Sequence, residues 1–227
     1  MMSRTSFRLS HSTPPADGSF TRLCRSSPHY PQIPYFSRVI LPTTLSLQDA
    51  LARVGLDEAE QAAFIGFAEA LVLPFGESLL SKGEVMQHFY FLTEGAVLAY
   101  ETDEQAERQV RRLYASGEWM ASPSLILRKP SALVYETAAE THLHRISMVD
   151  MHTLIGQSER FFMMGKVFMS EHSPFEGYQA RLAPEEKYGQ LMAQRPQLLQ
   201  LFPLKVIASY LEMTPETLSR TRKKLSL

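Results

Sequence analysis

The chain is poor in cysteine: among its 227 residues, Cys24 alone carries a thiol. No intrachain disulfide can form, and no zinc or iron–sulfur site can be held by cysteines. That usage suits a reducing compartment, and a cytoplasmic location is expected. Long apolar runs are missing too, so no segment is read as crossing a bilayer and no membrane partner is expected. Neither charge sign dominates, with 23 Lys and Arg against 24 Asp and Glu for a net charge of −1. Also absent are a phosphate-cradling glycine loop, an activated Ser or Cys nucleophile and a catalytic carboxylate pair, so no enzyme is expected. Glu185 and Glu186 read instead as the acidic first turn of a helix opened by Pro184.

What is present is unevenly spread. Residues 1–40 hold 16 Ser, Thr or Pro and five Arg against one acid, Asp17. They lack hydrophobic periodicity, the amphipathic helix of a transit peptide and the apolar stretch of a secretory signal. They are read as a disordered tail or an over-long start. From Ser46 a short helix is expected, then a second capped by Asp57 with Glu60 in capping-box spacing. Ala63, Phe64, Phe67, Ala68 and Leu71 would form that helix's apolar stripe.

Between Leu71 and Ser147 short strands replace helices. Residues 89–100 are β-rich with a turn at Glu94-Gly95, and Gln109 to Tyr114 alternates before a break at Ser116-Gly117. Two more strands, Ala132 to Ala138 and His142 to Ser147, are split by residues 139–141. Strands this short and this regularly punctuated argue for a sandwich or barrel. After Val149 the helical period returns. Phe161, Met164, Phe168, Phe175, Tyr178 and Leu182 recur at spacings of three and four, with Glu171 in the vacant slot. This heptad seam suits a parallel partner helix, a homodimer interface, or alternatively a helix packed on its own β-domain. Pro174 predicts a kink or break near residues 170–173.

The last segment carries the sharpest signal. Residues 204–227 hold five Lys or Arg against two Glu, a basic end on a neutral body, as nucleic-acid binding favours. Pro203 precedes the helix Leu204 to Leu211, and Glu212-Met213-Thr214 makes a turn. Thr214 then caps a second helix with Pro215 at its first position. Ala208 is small where two helices must approach, and Ile207, Leu211, Met213 and Leu218 have the spacing to lock the pair. Leu218 and Leu225 are expected inward, leaving a polar, basic outer face. A helix of this size fits a major groove. Leu227 follows closely on the motif, so little or no β-wing is expected.

This segment, Pro203 to Leu225, resembles the DNA-binding end of Crp/Fnr-type regulators. The resemblance runs upstream through Pro184-Glu-Glu-Lys-Tyr and Arg195-Pro196. It continues through Ser81-Lys-Gly-Glu and Phe89-Tyr-Phe-Leu-Thr-Glu-Gly, which resemble the opening strands of a cyclic-nucleotide-binding β-roll. The fold it implies is α+β: a jelly-roll (double-stranded β-helix) sensor at 41–150, a dimerisation helix at 151–182 and a helix-turn-helix at 183–227. It further implies a homodimer on double-stranded DNA, with RNA polymerase as a partner if the protein activates. By position, Glu216 and Arg220 would read bases. Lys205, Thr214, Thr217, Ser219, Lys223 and Lys224 would meet the backbone. Pro215 stands where the family's cyclic AMP receptor often has a base-reading Arg, and Glu212 where many such turns have Gly.

The sensor departs further from the family pattern. A cyclic-nucleotide pocket needs a Glu for the ribose and an Arg for the phosphate in the stretch after a Gly-acidic turn. Here that stretch runs Gly117-Glu-Trp and onward, Ser122 replaces the Glu, and Pro130 precedes Ser131-Ala132 where the Arg belongs. Trp119, Ser122, Ser124, Ser131 and Ala132 therefore outline a degenerate effector pocket, with Arg128 and Lys129 exposed beside it. No cofactor is expected and the effector stays open. Other readings are a ligand-binding or protein-interaction module without DNA binding, and a cupin-like metalloenzyme using His142 and His144, which share a strand face. A phosphate without a buried cation is costly to enclose. Calorimetry should therefore detect no cyclic AMP binding in the nanomolar-to-low-micromolar range, and binding in that range would refute the loss.

Overall fold

The computed structural model describes residues 45–165 and 182–225. Two short helices open it. In α1 (Leu47–Val54) the Ser46 hydroxyl accepts from Asp49 N at 3.1 Å, and Gly55 ends the helix in the left-handed region. In α2 (Glu58–Phe67) both bonds of the Asp57/Glu60 capping box form. Four free N–H groups at each helix start need acceptors, and these caps supply some of them.

The apolar stripe expected to run on to Leu71 stops earlier. Ala68 is extended and strand β1 (Glu69–Leu73) begins, with Leu71 opposite Leu143. Helix-like spacing over so few residues cannot outweigh a ladder of backbone hydrogen bonds to another strand. Seven strands follow: β2 (Ser78–Leu80), β3 (His88–Glu94), β4 (Ala96–Thr102), β5 (Arg108–Ala115), β6 (Trp119–Met120), β7 (Val134–Thr137) and β8 (Thr141–Ser147). They form two four-stranded sheets, ordered β1-β8-β3-β6 and β2-β7-β4-β5, with antiparallel pairing. The result is an antiparallel jelly roll. Between β6 and β7 sits a single short helix, α3 (Pro123–Leu127), and α4 (Met148–Gln157) follows β8.

The chain changes sheet between β3 and β4, at Gly95. Its φ is 93°, and a Cβ there would lie 2.5 Å from the Glu140 carbonyl oxygen. Glycine is required on both counts.

Two hydrophobic cores share one sheet. The first fills the roll and extends under α1, α2 and α4, with Phe64, Phe91, Trp119, Tyr135 and Leu154 among its members. The second lies between the outer face of β4–β5 and the C-terminal helices α5 (Pro184–Gln194), α6 (Leu198–Leu201), α7 (Leu204–Tyr210) and α8 (Pro215–Leu225). Leu98, Tyr100, Val110 and Leu113 form its floor; Leu191, Leu198, Ile207 and Leu218 form its roof. Among the described residues no helix is long and apolar enough to cross a membrane.

Gly95→Ala is expected to cost roughly 2–4 kcal/mol, combining a strained φ with backbone overlap, read as a lowered denaturant midpoint at unchanged slope.

Candidate functional site

Two regions carry the residues singled out by the sequence. The first is the α7–α8 pair. Ala208 is fully buried where the helices meet, and Leu218 is fully buried on α8. Thr214 Oγ1 accepts from Thr217 N at 3.2 Å and lies 3.1 Å from the Thr217 hydroxyl. Leu225, expected inward, is 45% exposed, because Thr221 takes the buried position one turn before it. Outward, α8 presents Glu216, Ser219, Arg220, Lys223 and Lys224, all exposed, with Thr217 half-buried. Lys205 is exposed on α7.

The charges on this face are not independent. Bonds to its own backbone N–H and to Thr214, with the Arg220 charge nearby, hold the Glu216 carboxyl below its usual range. It remains a carboxylate at neutral pH and can only accept hydrogen bonds. Lys224 is paired with Glu185 of α5 at 2.8 Å, and that contact in turn lowers the Glu185 carboxyl. Part of the expected basic flank is thus neutralised within the chain.

The second region is the loop through α3. Ser122 caps α3 by accepting from Ser124 N at 3.2 Å, and Ser124 Oγ accepts from Met86 N at 3.1 Å. Ser131 Oγ donates to the Leu133 carbonyl at 2.8 Å and accepts from Leu133 N at 3.1 Å. The three serines are buried and hydrogen-bonded to backbone groups, whereas Ala132, Arg128 and Lys129 are exposed. Trp119 does not join them. Its ring packs at 4.8 Å from Phe91 and edge-on to Phe64 at 5.8 Å, beside an open cavity of about 330 Å³ bordered by α1 and Gly117.

The expected dimer seam divides. Phe161 and Met164 are 1% and 0% exposed and belong to the first core, so they are not available to a partner. Exposed instead are their neighbours Phe162 at 70% and Met163 at 46%. A 3₁₀ turn at Glu159–Phe161 separates α4 from the helical residues 162–165, so the helix expected over 151–182 is interrupted near its start. Phe168, Pro174, Phe175 and Tyr178 lie outside the described residues, and Leu182 is half-buried. His142 and His144 sit half-buried on β8, with His142 Nε2 3.7 Å from Glu140 and His144 held below its ordinary value by burial. No group of three His, Cys, Asp or Glu placed to hold a metal ion occurs among the described residues.

Residues 71–158 match the family model of the cyclic nucleotide-binding domain. That domain therefore comprises the strands from β1, the serine loop and α4, and its structural neighbours include regulators of the Crp/Fnr family. FixK2 from Bradyrhizobium japonicum shares 17% identity over 70% of this chain and 84% of its own, at a TM-score of 0.57. The c-di-GMP-responsive global regulator CLP from Xanthomonas campestris shares 14% over 75% of this chain and 92% of its own, at 0.54. At such identities the likeness is one of fold. No curated protein sequence matches the chain.

Sequence reasoning missed three polar anchors, two between the domain and the C-terminal helices and one within those helices. Arg195, which ends α5, donates to the Leu113 carbonyl at 2.9 Å and to the Glu118 carboxylate at 2.6 Å. Burial opposes its charge, but Glu118 and Tyr210 outweigh that and hold the guanidinium above its ordinary value. Lys187, 6% exposed, donates from Nζ to the Leu211 carbonyl at 3.1 Å. Ser209 bonds to the backbone of β5. Pairings across such separations leave no local sequence pattern.

Arg195→Ala would strand a Glu118 side chain that is 22% exposed. The expected loss is about 2–3 kcal/mol, below the range for fully buried pairs, with Arg195→Lys intermediate in thermal or denaturant unfolding.

Proposed function

We propose that this chain is a homodimeric, Crp/Fnr-like transcription regulator that reads double-stranded DNA with α8. The observation that carries the reading is α8 itself. It is capped by Thr214, anchored by Leu218 and Thr221, and leaves Glu216, Ser219, Arg220 and Lys223 exposed along its outer side. A short helix held from behind by a core can lie in a major groove and offer these side chains to base edges.

The chemistry assigns the roles. Arg220 can meet O6 and N7 of a guanine through two parallel bonds. Glu216, kept ionised, suits a cytosine amino group. Thr217, Ser219, Lys205 and Lys223 serve the backbone, with Thr214 at the helix start. Lys224 contributes only by exchanging Glu185 for a phosphate. The partner helix engages the seam of Phe168, Phe175 and Tyr178, extended by exposed Phe162 rather than by Phe161 and Met164. As an activator the protein would touch RNA polymerase as well.

The domain at 71–158 is the sensor, for an effector other than cyclic AMP. Ser122 and Pro130 stand where the resemblance expects the ribose-binding Glu and the phosphate-binding Arg, and the Ser122 and Ser131 hydroxyls bond to backbone groups of the loop. Admitting a charged phosphate would break these bonds and supply no cation in return.

Selection of bound sites from random DNA, followed by gel shifts at two salt concentrations, tests the reading. Arg220→Ala should weaken specific binding by about 1–3 kcal/mol and relax preference at one base position. Lys223→Ala should weaken all sequences alike and flatten the salt dependence. A wild-type protein with no sequence preference would point instead to a ligand-binding or protein-interaction module.

A further inference from the structure

We propose that Ser209 and Glu212 are positioning residues that fasten the α7–α8 pair to the free edge of the roll, so that strand β5 sets the direction of the reading helix. The proposal rests on the DNA-reading role of α8 and names the device that aims it.

β5 is the outermost strand of its sheet, and an edge strand presents unpaired N–H and C=O groups. One hydroxyl of α7 attends to two of them. Ser209 Oγ accepts from Val110 N at 2.9 Å and donates to the Arg108 carbonyl at 3.3 Å. A serine hydroxyl has one proton to give and lone pairs to receive, so it can replace the next strand at both groups. The end of α7 is thereby joined to the sheet ladder itself, not merely packed on it.

The second fastening arises from a bulge. β4 pairs with β5 through Ala99–Arg112 and then Tyr100–Val110, which leaves Arg111 as the extra residue. A bulge frees one side chain from the strand's alternation and re-aims it. Arg111 thus spans two carboxylates: its Nε donates to Glu101 at 2.8 Å and an Nη to Glu212 at 3.0 Å. Glu212 lies in the turn leading to α8 with φ of 54°, a conformation that favours glycine. A glutamate here accepts strain and offers a carboxylate that glycine lacks. From the opposite side, buried Lys187 holds the carbonyl of Leu211 in the same turn.

Both fastenings meet the pair beside its turn and leave the outer residues of α8 exposed. A shift of β5 against the roll must therefore carry the turn with it. In a dimer, the direction of each reading helix sets the separation of half-sites it accepts.

The full-length protein is used for the test, as Ser209→Ala, Glu212→Gly, Arg111→Glu, Glu212→Arg and the charge-swapped double variant. In Ser209→Ala, amide exchange at Val110 should rise about tenfold or more while β3 and β8 keep their protection. Glu212→Gly should retain its thermal midpoint, since glycine suits the φ, yet bind the selected DNA about tenfold more weakly and discriminate less between half-site spacings. The swap should recover part of the affinity that each single reversal loses, the rest being lost to repulsion between a carboxylate at position 111 and Glu101. Unchanged exchange at Val110 overturns the clamp. Raised exchange with DNA affinity and spacing preference intact in both variants, or a swap that recovers nothing, overturns the positioning role. A wild type that binds no specific DNA refutes the reading function separately, because the exchange experiment still decides the clamp.

Discussion

Strand β4 is buried on both faces, and the rest of the described chain is arranged around that burial. Val97 and Ala99 face the interior of the roll, while Ala96, Leu98 and Tyr100 face the C-terminal helices. A strand in this position cannot alternate apolar with polar residues, and its sequence, Ala-Val-Leu-Ala-Tyr, does not. A jelly-roll sheet with one wet face would leave the C-terminal helices as a separate body on a linker. With both faces covered, the helices complete the sheet. They are held to it by the apolar floor and by the polar anchors at Arg195, Ser209 and Glu212.

The bulge in β5 is what allows that second core. With one extra residue, Val110 and Leu113 both face the helices, three positions apart, and Arg112 is opposite Ala99 with 6% exposure. Regular alternation could not serve both layers, because a one-residue offset moves each later side chain to the other face. Arg111 is left at the seam between the roll and the α7–α8 turn. Its pairs with Glu101 and Glu212 are half-exposed, so their worth lies in orientation more than in stability.

The loop through α3 follows a different logic. Its serine hydroxyls bond to backbone groups: Ser122 to Ser124 N, Ser124 to Met86 N and Ser131 to Leu133 N. Ser122 and Ser124 lie together in this loop, whereas the indole of Trp119 is a core group packed against Phe64 and Phe91.

What was legible in the sequence was local. Ser46, Asp57 and Thr214 cap helices because each hydroxyl or carboxylate answers an N–H three residues ahead. Glu94-Gly95 reads as a turn from its residue types, and Gly95 has the left-handed φ such a turn favours. The outward set on α8 follows from its helical period. The sequence by itself thus determined the caps, the principal turn, the β-rich middle and the polar face of the last helix. Tertiary structure alone decided that Leu71 joins a strand, that Phe161 and Met164 are spent in the chain's own core, and that Ser209 closes the edge of β5. Each of these depends on partners tens of residues away. A hydrophobic or hydroxyl side chain declares its type in sequence, but which surface it covers is settled only when distant elements compete for it.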